Sequence, residues 1–171
     1  MNTGLAVAPE PDRLHPGPLL LKWAAILGPH LDISEIVRPE IETLAAEVGE
    51  TIGHVNYHPT TRTAIMETVA WGNTPLKYGL ATDVEIPLYA GAAGKAILAF
   101  AAPEVVDQQV LVPLNPNTIT DLDELRVQLD QIRENGWATG DGERIPDACG
   151  VAAPIFTNGN VTGSITISIP S

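Results

Sequence analysis

Residues 161–170 alternate between aliphatic and hydroxyl side chains with hardly a break. Successive side chains of a strand point to opposite faces. On a regular strand Val161, Gly163, Ile165, Ile167 and Ile169 therefore share one face, and Thr162, Ser164, Thr166 and Ser168 share the other. The first face reads as core. The second is a row of hydroxyls, which either meets water or lines a polar pocket. The neighbouring sequence favours a pocket. Gly91-Ala92-Ala93-Gly94-Lys95-Ala96 is a small-residue turn opening an apolar helix, Asp141-Gly142-Glu143 is a carboxylate loop, and Gly150-Val151-Ala152-Ala153-Pro154-Ile155 is a second strand-like run. Hydroxyls, bare backbone at a helix start and a carboxylate loop together suit a small polar ligand.

The chain has 171 residues, enough for one domain with an accessory segment. Apolar residues make up 44% and aromatics only 5%, so the core must be built from Ala, Val, Ile and Leu. With 9 Lys+Arg against 21 Asp+Glu, the net charge is -12, which opposes binding to a phosphate backbone by this chain alone. The single cysteine, Cys149, excludes an internal disulfide and a paired-cysteine metal knuckle. No stretch approaches the roughly 18 apolar residues of a membrane span, and no basic-then-apolar leader opens the chain. These features predict a soluble, cytoplasmic protein without membrane contact.

Residues 1–12 show no periodicity and read as a tail. Residues 18–28 have helical spacing, with Pro18 in the first turn and Gly28 as a stop. Ile33, Ile36, Val37, Ile41, Leu44, Ala45 and Val48 form a helical stripe closed by Gly49. Pro39 either starts that helix or kinks it. The period then changes to two, predicting strands over 51–57 and 62–71 around a turn at His58, Pro59 and Thr60, with a short third run at 84–89. Residues 92–101 read as a buried helix. Asp121-Leu122-Asp123-Glu124 opens another with a capping-box pattern, Leu122, Leu125, Leu129 and Ile132 form its stripe, and Gly136 ends it. Strands over 148–156 and 161–169 flank Asn158-Gly159, a strong hairpin signal. The order predicts an α+β fold with antiparallel pairing.

Each chemical feature has a plainer counterpart. Gly91 to Lys95 lacks phosphate-loop spacing, so it holds a ligand carboxylate or serves close helix–sheet packing, and both readings stay open. Glu143 reads as part of a solvated turn, and Asp141 gains weight from the adjoining small-residue strand. His54 and His58 share a strand face without a third metal ligand nearby. Cys149 reads as a small, half-buried thiol, and Ser164 and Ser168 lack a nucleophile-elbow setting. No catalytic residue, metal or cofactor is assigned.

Five stretches together resemble the C-terminal effector-binding domain of the IclR family of bacterial transcriptional regulators. Three are Ala90-Gly91-Ala92-Ala93-Gly94-Lys95-Ala96-Ile97-Leu98-Ala99, Gly150-Val151-Ala152-Ala153-Pro154-Ile155, and Gly163-Ser164-Ile165-Thr166-Ile167-Ser168-Ile169-Pro170. Leu44-Ala45-Ala46-Glu47-Val48-Gly49-Glu50-Thr51 looks like the family's entry from helix to strand, and Ile132-Arg133-Glu134-Asn135-Gly136-Trp137-Ala138 like its exit. The likeness runs in order over about residues 14–171. It implies a GAF-like domain, a curved antiparallel sheet flanked by helices with a small-molecule pocket. It further implies that 1–12 is a tail or the remnant of a missing winged helix-turn-helix, 13–31 a linker helix and 32–171 the effector-binding domain. Carried over position by position, the pocket falls on Ala92, Ala93 and Gly94, on Asp141, on Ala148 and Gly150, and on Thr166 and Ser168. Two positions depart from the family pattern. Gly150 stands where a cysteine is frequent, with Cys149 one place earlier, and Asp147 stands where a glycine is usual. The implied partners are a small organic acid or aromatic metabolite as effector, a homo-dimer or tetramer, and DNA only through the missing domain. The implied activity is sensing, not catalysis. Two alternatives remain open: a stand-alone GAF-type sensor, and a small enzyme on this scaffold, the latter disfavoured because a lone Cys149 cannot form an internal disulfide.

Overall fold

The computed structural model describes residues 4–10, 13–23, 33–74 and 80–170. The chain divides into two compact units, Met1–Ile36 and Val37–Ser171.

In the first unit, β1 (Ala6–Glu10) pairs antiparallel with β2 (Arg13–Pro16), Ala6 opposite Pro16 and Val7 opposite His15. Residues 18–23 are helical (α1). Gly17 N–H donates to Leu5 O at 2.7 Å and Leu19 N–H to Gly4 O at 2.9 Å, tying the hairpin to the start of α1. Two expectations need correction. Residues 6–10 are a strand although they show no alternation, because pairing with β2 supplies what periodicity does not. Residues 13–16, placed by the resemblance in a linker helix, are that partner strand, and the helix begins at Pro18, whose fixed φ suits a first turn. Gly28 and Leu27 lie outside the described residues. Leu20, Leu21 and Trp23 are exposed.

α2 (Ile33–Val48) runs through Pro39, so the helix starts upstream of the proline. The second unit is built on a six-stranded sheet of β3 (Thr51–His58), β4 (Thr63–Ala70), β5 (Val84–Ile86), β6 (Ala138–Asp141), β7 (Ala148–Thr157) and β8 (Asn160–Pro170). The strand order is β5-β4-β3-β8-β7-β6 and every described pairing is antiparallel. This is the curved antiparallel sheet implied by the resemblance. Between β5 and β6 lie α3 (Ala92–Leu98), α4 (Pro103–Asp107) and α5 (Leu122–Asn135). α5 follows its sequence signals closely: Asp121 accepts from the backbone N–H groups of Asp123 and Glu124, Leu125, Leu129 and Ile132 are buried, and Gly136 closes the helix. The β7–β8 hairpin turns at Asn158 (φ 52°) and Gly159 (φ 80°), both left-handed as a type I′ turn requires.

Both faces of the sheet carry core. On one, Val55, Tyr57, Ala64, Met66, Ala138, Ala152 and Val161 pack with Ala96, Ile97 and Leu98 of α3 and Leu125, Leu129 and Ile132 of α5. On the other, Ile52 and Ala70 pack with Ile41 and Ala45 of α2, joined by Ile165 and Ile167. The face assignment along β8 therefore changes. Ile155 pairs with Gly163 but Phe156 with Val161, so Thr162 is an extra residue, a bulge that inverts the alternation. Val161 joins Ser164, Thr166 and Ser168 on the face toward α3, while Ile165 and Ile167 turn to α2. The hydroxyl row faces the larger core.

Candidate functional site

The hydroxyl face of β8 and the amino end of α3 meet in a cleft of about 510 Å3, part of it open to solvent. Gly91, which precedes α3, takes φ 80°, a conformation that costs a side-chain-bearing residue, and so turns the chain sharply onto the sheet. Gly94 is there for space. A methyl group on it would lie 2.1 Å from Pro87 O, so close packing alone demands glycine at that position. The turn thus serves close packing at Gly94, while Ala92 and Ala93 wall the cleft. Ser164 Oγ donates to Ala93 O at 3.0 Å and ties the turn to β8. Thr166 Oγ1 donates to Val151 O at 3.3 Å, and Thr166 and Ser168 both line the cleft.

Seven of the eight residues expected to form the site line this cleft: Ala92, Ala93, Gly94, Ala148, Gly150, Thr166 and Ser168. Asp141 does not. β6 alternates buried Ala138 and Gly140 with exposed Thr139 and Asp141, so Asp141 points away from the cleft wall that Gly140 forms. There its carboxylate accepts from Cys149 Sγ at 3.2 Å, across a register pair of β6 and β7. That bond, with a lesser contribution from burial, pushes the Cys149 thiol above its ordinary pKa and makes it a poorer thiolate.

The carboxylate that does reach the cleft is Glu143, read from sequence as a solvated turn. It is 8% exposed. Its Oε1 pairs with Lys95 Nζ, and its Oε2 accepts from Gly91 N–H at 3.0 Å. Its backbone carbonyl accepts from Thr118 Oγ1 at 2.6 Å and Asn115 Nδ2 at 3.0 Å. Lys95, 2% exposed, also donates to Gln128 Oε1 at 2.9 Å. A buried charge needs a partner, and a lone lysine in the apolar run 92–99 is the sequence signal for one. The partner, 48 residues downstream, carries no local mark. Arg144 follows Glu143 and lines the cleft beside Met66, Leu80 and Ile145. Sequence reasoning also missed it.

His54 and His58 gain no third ligand: among the described residues no cluster of three or more His, Cys, Asp or Glu side chains is placed to hold a metal. Among the described residues no helix is long and apolar enough to cross a membrane.

The architecture is that of an α+β domain whose curved antiparallel sheet carries a partly solvent-open cleft between a glycine turn and a hydroxyl strand. The sequence model described as "Bacterial transcriptional regulator IclR C-terminal" matches residues 27–171, and the chain belongs to that family. It is 28% identical over 146 residues to the HTH-type transcriptional regulator KipR of Bacillus subtilis, a match covering 83% of this chain and 58% of KipR. The chain spans about half the length of such curated relatives. Its fold is shared with an IclR transcriptional regulator from a Silicibacter species (TM-score 0.82, 24% identity, 98% of this chain and 67% of that one). It is also shared with an IclR homologue from Microbacterium hydrocarbonoxydans complexed with 4-hydroxybenzoate (TM-score 0.76, 21% identity, 98% of this chain and 70% of that one). The relatives are transcriptional regulators.

Proposed function

We propose that this chain is the effector-sensing part of an IclR-type regulator and that its cleft takes a small organic acid or an aromatic metabolite. The observation that carries this reading is the cleft itself, walled by Ala92, Ala93 and Gly94 on one side and by Ala148, Gly150, Thr166 and Ser168 on the other. Its walls are mostly small and apolar residues with a few polar groups among them, the make-up of a small-molecule site. Gly150 adds room: a methyl there would meet Ala92 Cβ at 3.4 Å and Thr166 Oγ1 at 3.7 Å, inside the ligand's space. The 4-hydroxybenzoate complex of the Microbacterium homologue supports an aromatic acid as the ligand type. Binding then modulates DNA reading by a winged helix-turn-helix outside residues 13–171, with 13–31 as the connecting segment and 32–171 as the sensor. The regulator works in the cytoplasm as a homo-dimer or tetramer.

Calorimetry with a panel of small acids that includes 4-hydroxybenzoate tests the reading. Ala93→Leu fills the cleft and is expected to abolish binding. Thr166→Val and Ser168→Ala each remove a hydrogen-bonding group and should cost about 0.5–1.5 kcal/mol. Unchanged affinity in all three variants would move the ligand elsewhere.

A further inference from the structure

The cleft holds two side chains of opposite charge, and their situations differ. Glu143 is fully engaged, its carboxylate shared between Lys95 Nζ and Gly91 N–H. Arg144 is not: among the described residues no ion pair or hydrogen bond involves its guanidinium. It is half-buried, with its Cβ near Gly91, and it lines the cleft together with Met66, Leu80 and Ile145. Arg144 also lines a second hollow, bounded by Ala81 and Val84 as well. Burial lowers its pKa, and no acidic group opposes that shift. A guanidinium is a planar fork suited to a carboxylate, and a partly buried one is poorly compensated until it finds one.

The amino end of α3 is the other place where a ligand carboxylate would be sought. Glu143 already accepts the Gly91 N–H there. A ligand carboxylate there would share that end with a carboxylate that Lys95 already pairs, whereas Arg144 has no anion of its own among the described residues.

We propose that Arg144 is the anion-reading residue of the cleft, and that the effector is a monocarboxylate with an apolar body, its acid at Arg144 and its neutral end toward Thr166 and Ser168. This rests on the cleft being the effector site and reverses the orientation that the small-residue turn alone suggests. Arg144 is held for the task. Its neighbour Glu143 is fastened through carboxylate and carbonyl alike, and the Gly142 N–H donates to Ala148 O at 3.0 Å, so the backbone that carries Arg144 has little freedom.

The test is calorimetry of propionate, benzoate and 4-hydroxybenzoate, each beside its neutral amide, on the chain as it stands. Four proteins are compared: wild type, Arg144→Gln, Arg144→Lys and Ala93→Leu, with melting curves to confirm that each is folded. The wild type is expected to prefer an acid to its amide by at least tenfold. Arg144→Gln should erase that preference while keeping amide affinity within about twofold, and Arg144→Lys should restore part of it. An acid preference that survives Arg144→Gln overturns the proposal. So does a wild type that binds amides but not acids; if Ala93→Leu then blocks the amides, the cleft still stands as the effector site. Binding of acids that Ala93→Leu leaves intact, or no binding by any member of the panel, overturns both readings.

Discussion

Lys95 lies 2% exposed in a helix whose other side chains are Ala, Ile and Leu, with Glu143 as its ionic partner. Such a pair is weak evidence of stabilisation, because desolvating both charges offsets much of their attraction, but breaking it strands a buried charge. Lys95→Met or Glu143→Gln alone should therefore cost about 3–5 kcal/mol in urea unfolding, and the double variant Lys95→Met/Glu143→Met should recover most of the loss. Single losses under about 1 kcal/mol would mark the pair as solvated. On the opposite face of the sheet, His54 and Thr68 are register partners, both buried, and among the described residues His54 Nδ1 and Thr68 Oγ1 have no hydrogen-bond partner. Burial pulls the His54 pKa below 6.5, against a smaller opposing influence of Glu67. The unfolded chain then takes up a proton near pH 6.5 that the folded chain refuses. Stability from this residue is complete above pH 6.5 and is lost as pH falls toward the lower, folded-state pKa. Melting at pH 7.5 and pH 5.5 should show a decline that His54→Leu reduces; an equal decline in the variant would assign it to the carboxylates.

Among the elements, α5 shows what a helix owes to its own residues. Asp121 caps two backbone N–H groups, both at 2.9 Å, and Asp121→Ala should cost about 1 kcal/mol, or a melting temperature lower by roughly 2–4 °C. A drop under 1 °C in calorimetric melting would assign the helix's stability to Leu125, Leu129 and Ile132 alone. Each signal for α5 lies inside 16 residues, which is why its limits are legible in the sequence, as is the Asn158-Gly159 turn. The misread features depend on distant chain. The parity of β8 is decided by the bulge at Thr162, which shows only in its pairing with β7. β1 and β2 exist through each other and lack the alternation of a strand packed on a core. The small-residue turn and the hydroxyl strand betrayed the cleft because bare backbone and a row of polar groups are visible in the residues themselves. The sequence does not mark Glu143 as the carboxylate that reaches the cleft, because the left-handed Gly142 (φ 61°) breaks the alternation of β6 just before it, and because Lys95, which makes burial of Glu143 tolerable, is remote in sequence.

For the molecule as a whole, charge and exposed apolar surface set the expectations. At a net charge of -12 the chain should not shift duplex DNA at physiological salt, since phosphate contacts require clustered Lys and Arg. A gel shift that weakens steeply with salt would refute this. Leu20, Leu21 and Trp23 in the first unit are 43%, 57% and 49% exposed, with Leu5 and Val7 exposed on the same unit. Apolar side chains gathered on one small unit mark a surface that associates, because water disfavours leaving them bare. Since a stable interface buries about 800 Å2 per partner, these residues can supply the apolar centre of one but not its whole area. The chain is therefore expected to sediment as a dimer or larger species at tens of micromolar, and Leu21→Glu with Trp23→Glu should shift it toward monomer. Effector affinity should survive the change, because every residue that walls the cleft belongs to the second unit. A wild-type chain that sediments as a monomer at high micromolar concentration would refute the association. A double variant that stays associated would move the interface away from α1.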